Sequence, residues 1–211
     1  MKDNESELTG QESLQIIQQM IDTAKREQKD DGKGWIIWGW MLFLASVLTA
    51  INIHYQWFQT FFFWNMLGIV TLVIFIVEII KNLTVKKLQK VETYTKAIFK
   101  KLNIGFFICL FFIITAMNVG INPLKGFPLL MSLYGFWILI YGSLLDFKPS
   151  VIGAFVTWIL AFVALFQSSF QVIMILHAAS ALCGYIIPGH IANRKFKELT
   201  AGKSLNQNSG V

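Results

Sequence analysis

Charge is what this sequence is shortest of. Asp, Glu, Lys and Arg make up only 14% of its 211 residues, against about a quarter in an ordinary soluble domain. Acidic groups are rarer still in the middle, where Glu78, Glu92 and Asp146 are the only ones between Gly32 and Lys197. Transporters of protons or ions usually keep an ionisable group at mid-membrane despite an insertion cost of ~2.5–3.5 kcal/mol. Glu78 and Asp146 fall near the ends of apolar runs, which weakens that function class. Cysteine is scarce too: Cys109 and Cys183 lie in apolar runs without CxxC spacing and read as small buried hydrophobes. Of three histidines only His177 falls inside an apolar run. Three or four metal ligands are therefore hard to assemble within a bilayer, and neither a hydrolytic triad nor an axial haem pair has its partners. No cofactor motif is present.

What the chain does have is apolar length. Hydrophobic residues make up 55%, with nineteen Phe and seven Trp. Six runs approach the length that crosses ~30 Å of hydrocarbon: 35–53, 60–80, 102–121, 127–145, 150–166 and 170–187. An all-α polytopic membrane protein with six transmembrane helices follows as the expected fold class. Residues 1–33 form a cytoplasmic segment, 34–192 the bundle with helical extensions over 81–101, and 193–211 a basic tail. The polar first 33 residues do not read as a cleavable signal peptide.

The net charge of +6 and pI near 9.3 invite a nucleic-acid reading, which the placement of the charges removes. Five Lys/Arg precede the first span, seven separate spans two and three, Lys148 separates four and five, and four follow span six. Only Lys125 lies on the other side. This positive-inside split predicts an inner-membrane protein with both termini cytoplasmic. Lys86, Lys87, Lys90, Arg194, Lys195 and Lys197 are then candidates to face anionic inner-leaflet lipid, at about 1 kcal/mol each.

Thr9 and Glu12 have capping-box spacing, and Leu14, Ile17, Ile21 and Ala24 share one stripe of the helix they would begin. That amphipathic helix can lie on the membrane, pack on its own bundle, or receive a cytoplasmic or membrane protein through residues 9–31. A homo-oligomer is also open to such a chain. Trp35, Trp38 and Trp40 read as an interfacial aromatic belt. Pro188 and Gly189 read as the end of span six.

Span six holds the most distinctive pattern. His177, Ser180, Ala181 and Gly184 share a stripe, and span five answers with Gly153, Thr157, Ala161 and Ala164. The short QSSF link makes the two spans antiparallel, pairing Gly153 with Gly184, Thr157 with Ser180 and Ala161 with His177. His177, Ser180, Thr157 and Tyr134 are the candidate ligand or pore residues. Gly153, Ala161, Gly184, Gly39 and Gly135 are candidate packing residues. Gly39 and Gly135 occupy matching places if spans one to three and four to six form an inverted repeat.

The runs ESLQIIQQMIDTAK, GWIIWGWMLFLAS, YGSLLDFKPSVIGA and GYIIPGHIANRKFK resemble an uncharacterised family of small bacterial six-span inner-membrane proteins. The resemblance implies the architecture and carries no chemistry. The expected function is a non-enzymatic sensory or interaction module that binds a small or apolar ligand, or a membrane partner. The alternatives are a small-solute or ion transporter or channel with its path near His177 and, as a third reading, a membrane-embedded enzyme or metal or haem protein.

Overall fold

In hydrocarbon a chain must satisfy its own backbone hydrogen bonds, and a helix does so within one segment. The computed structural model describes residues 31–84 and 94–208, and among these it is helical throughout, without a strand. The helices are α1 (Lys33–Tyr55), α2 (Phe62–Thr84), α3 (Tyr94–Val119), α4 (Pro123–Leu144), α5 (Lys148–Leu165), α6 (Phe170–Ala181) and α7 (Ile187–Asn208), with a π-helical turn, Leu182–Ile186, between the last two. Five stretches are long and apolar enough to cross a bilayer: Lys33–Tyr55, Ile98–Val119, Pro123–Leu144, Lys148–Leu165 and Phe170–Glu198. Phe62–Ile74 is a shorter apolar one. The described residues thus have the all-helical build and the long apolar helices that a helical membrane protein requires. The expected N-terminal amphipathic helix and the Lys86–Lys90 cluster lie outside the described residues.

Local chemistry sets the helix ends. Gln56, in the left-handed region at φ 54°, closes α1 by donating its N–H to Asn52 O. The buried Asn52 side chain then holds the loop, accepting from Phe58 N and donating to Phe58 O, both at 2.9 Å. Asn122 caps α4 by accepting from Leu124 N at 3.0 Å, with Pro123 at the first helical position where its missing N–H costs nothing. Span four therefore begins four residues earlier than expected, with Pro128 inside the helix.

One expectation is overturned at the end of span six. Pro188 and Gly189 do not end the helix, which continues through Asn208. Proline cannot donate to the carbonyl four residues back and its ring presses on it. The chain widens into the π turn instead, with Ile187 N–H reaching Leu182 O, five residues back. Gly189 serves a close approach: a Cβ there would stand 2.9 Å from Ile36 Cγ1.

The packed centre consists of α1, α4, α5 and α6. The helices α4 and α5 share the longest contact, and α1 lies along α6 and the π turn. Peripheral α2 packs on α1 and α3 on α4, and among the described residues α2 and α3 do not pack on each other. Nor do α1 and α4 approach each other, and large rings fill the space between them. Trp35 lies 4.1 Å from Tyr141 and 4.9 Å from Tyr185 by ring centroids. This corrects the reading of Trp35 as a membrane-interface anchor, since it is a core residue, whereas Trp40 is exposed.

Candidate functional site

His177 projects from α6 into the centre of the bundle and is completely buried. Its partner is Ser46 of α1, which was not among the candidate site residues. Ser46 Oγ lies 2.9 Å from His177 Nδ1 and 2.7 Å from Leu42 O. A hydroxyl has one hydrogen, and a carbonyl only accepts, so that hydrogen goes to Leu42 and Nδ1 must carry the proton of the imidazole contact. In the uncharged ring Nε2 is then a bare acceptor, and it has no partner. Rings close around it: Trp64 at 5.1 Å, Tyr134 at 5.8 Å and Phe127 at 6.2 Å, all near edge-on. Trp64 is held in turn by its indole N–H, 3.3 Å from Met174 Sδ.

The other candidate residues are equally enclosed. Ser180 donates to His177 O at 2.8 Å, which satisfies it within its own helix. Thr157 Oγ1 is buried without a partner beside Gly184, where a Cβ would stand 2.8 Å from it. Tyr134 bridges His177 and Tyr185 by edge contacts, and the buried Tyr185 hydroxyl has no partner. The structure therefore brings His177 to Tyr134 and leaves Thr157 with the glycine pair one turn away.

The small residues differ in what they admit. Gly153 faces the Cys183 carbonyl and Gly184 Cα, bringing α5 and the π turn together. Ala161 packs among Phe127, Met131, Ile173 and Met174. Gly39 makes room for Tyr185 and Ile186, whereas Gly135 makes room for Trp158, whose indole N–H donates to Ser132 O at 3.0 Å. These two glycines thus meet spans six and five respectively, and an inverted repeat would have given Gly135 span three instead.

The feature that sequence reasoning missed lies on the outer flank of the same helix pair. Phe43, Val47, Ala50, Ile51, His54 and Tyr55 of α1 face Gln171, Ile175, Ala178 and Ala179 of α6 and Leu182 of the π turn across an open groove of about 520 Å³. Within each set the residues recur three and four apart (43, 47, 50, 54 and 47, 51, 55; 171, 175, 178, 182 and 175, 179), so each is one broad stripe of its helix. The stripes run antiparallel, with Ser46 meeting His177 and Ala50 meeting Gln171. The periodicity was visible in the sequence, but pairing span one with span six was not.

At the basic end Arg194 pairs with Glu198 at 2.9 Å, Lys195 Nζ lies 5.5 Å from the Phe147 ring centroid, and Lys197 is exposed. Lys125, the lone basic residue of the other end, donates to Leu165 O at 2.6 Å and so caps the last turn of α5. Among the described residues no three His, Cys, Asp or Glu side chains converge as a metal site requires. Comparisons with protein-family models, curated proteins and solved structures gave no match to this chain.

Proposed function

We propose that this protein is a non-enzymatic binding module of a bacterial cytoplasmic membrane, with six spans and both termini cytoplasmic, that takes up an apolar ligand along its bundle. The observation that carries the reading is a contrast on one pair of helices. Between α1 and α6 the polar side chains with chemical potential are turned inward and packed shut, while the flank open to the bilayer is an apolar groove. A site of that kind selects shape and hydrocarbon and does not turn over a substrate. The packing of His177, Ser180, Thr157 and Tyr134 supports binding over transport, because none of the four lines an opening.

Binding is read out at the basic end. The stretch that leads in from the N-terminus is tied to α7, with Asn193 Nδ2 donating to Asp31 O at 2.7 Å and Gly32 packed on Gly189. Asp31 and Gly32, at the start of α1, are thereby joined to α7, the continuation of α6. The test is extraction of the purified full-length protein with organic solvent and mass analysis of what is released. A roughly stoichiometric apolar molecule, whose removal lowers the thermal midpoint, is expected. Delipidated protein that melts unchanged and rebinds nothing would sink the reading.

A further inference from the structure

The α1/α6 groove has dimensions that identify its occupant. From Phe43 to His54, and from Leu182 back to Gln171, is eleven residues, about 16 Å at 1.5 Å per residue. That matches one leaflet, half of the ~30 Å hydrocarbon thickness. A volume of 520 Å³ spread over that length leaves a cross-section of about 30 Å². A helix 10–12 Å across meets so narrow a groove only through its side chains, whereas an extended acyl chain lies within it along its whole length. The floor explains the narrow slot. Ala50, Ala178 and Ala179 stop short of the space that Phe43, Ile51, Ile175 and Leu182 wall in on either side.

Polarity is confined to one end. His54, Tyr55 and Gln171 stand at the mouth, next to the loop that Asn52 holds. Gln171 Nε2 also donates to Ala50 O at 3.3 Å, joining the two walls there. None of the three carries a fixed charge, so the mouth offers hydrogen bonds to an ester or phosphate oxygen without selecting an anionic head. We infer that the groove is a binding site for one acyl chain of a membrane phospholipid from the leaflet on the 56–61 side, with its ester region at His54 and Gln171. This rests on the proposed apolar-ligand function and names the ligand class and its seat.

The experiment uses the full-length protein in phosphatidylethanolamine/phosphatidylglycerol vesicles doped with a phospholipid bearing a photoactivatable acyl chain, with adducts mapped by mass spectrometry. Adducts on Phe43–Tyr55 and Gln171–Leu182 are expected at about ten times the yield on the freely exposed Phe111, Phe112 and Ile159. Ala179→Phe in α6 and Val47→Phe in α1 should each abolish that excess while leaving adducts on Phe111 unchanged. If one variant fails to fold, the other and the wild-type map still decide. Even labelling of all lipid-facing helices overturns the inference, as does an excess that survives both substitutions. So does groove protection that appears only with dimer cross-links, which would seat a second copy there. An apolar molecule that still co-purifies while the groove labels evenly removes this site and leaves the broader function standing.

Discussion

Ser46 and His177, 131 positions apart in sequence, share one hydrogen bond of 2.9 Å in the centre of the bundle, and it fixes the facing of the two helices that form the groove. The arrangement explains why a polar imidazole is tolerated there. Its Nδ1 is satisfied by a hydroxyl that is itself satisfied by Leu42 O, and Nε2 alone remains among rings.

Removing one partner should therefore cost more than removing both. Ser46→Ala leaves a buried N–H unpaired and is expected to destabilise by about 1–3 kcal/mol. Adding His177→Leu to that variant should recover part of the loss, because an apolar pair has nothing to satisfy. Unfolding midpoints of the two single variants and the double variant in detergent test this. Additive losses would show that the serine and histidine are not coupled.

How far the sequence anticipated this arrangement depends on the kind of signal. Helix identity was legible because a bilayer forces apolar runs into helices, and the contact of Gly153 with Gly184 follows from the short link between spans five and six. Ser46 was not legible, since one hydroxyl in an apolar run looks like any other until tertiary packing sets it opposite a histidine. Trp35 misled for a related reason: tryptophan near a membrane boundary is usually an anchor, and only the gap between α1 and α4 makes it core. Pro188 misled because a π turn evades the rule that proline stops a helix.

The glycines separate into two groups by what surrounds them. A Cβ at Gly153 would stand 2.5 Å from the Cys183 carbonyl, a backbone atom with little freedom to move. Gly153→Ala should cost about 1–3 kcal/mol by overpacking. Nothing lies within 4 Å of the same point at Gly68 or Gly105. Alanine there should be neutral or stabilising by about 0.5–1 kcal/mol, as in any helix interior. Thermal midpoints of the three variants in one detergent check the contrast, and equal shifts would contradict the packing described.

Basic residues of α7 differ in their freedom to meet lipid. All three are exposed, but Arg194 pairs with Glu198 and Lys195 lies over Phe147, whereas Lys197 has no partner among the described residues. Loss of anionic lipid should be largest for Lys197→Ala, near the ~1 kcal/mol expected of an exposed basic group at an anionic surface. Glu198→Ala should increase lipid retention by releasing Arg194. Native mass spectrometry of retained phosphatidylglycerol, repeated at raised salt, measures both, and retention that ignores salt would refute an electrostatic origin.

The junction between the start of α1 and α7 makes the sharpest demand on a single residue. Gly32 has φ +70°, a region that costs other residues about 1–2 kcal/mol, and a Cβ there would stand 2.5 Å from Gly189 O. Neither problem relieves the other, because leaving the left-handed region would carry Asp31 O away from Asn193. Gly32→Ala should therefore undo the junction, and Asn193→Ala should weaken it by about 1 kcal/mol through its one hydrogen bond. Limited proteolysis reads the result directly. Cleavage between Asp31 and Lys33 should accelerate strongly in Gly32→Ala and modestly in Asn193→Ala, with the bundle fragment intact in both. Wild-type cleavage rates in Gly32→Ala would mean that the contact with α7 does not hold this segment.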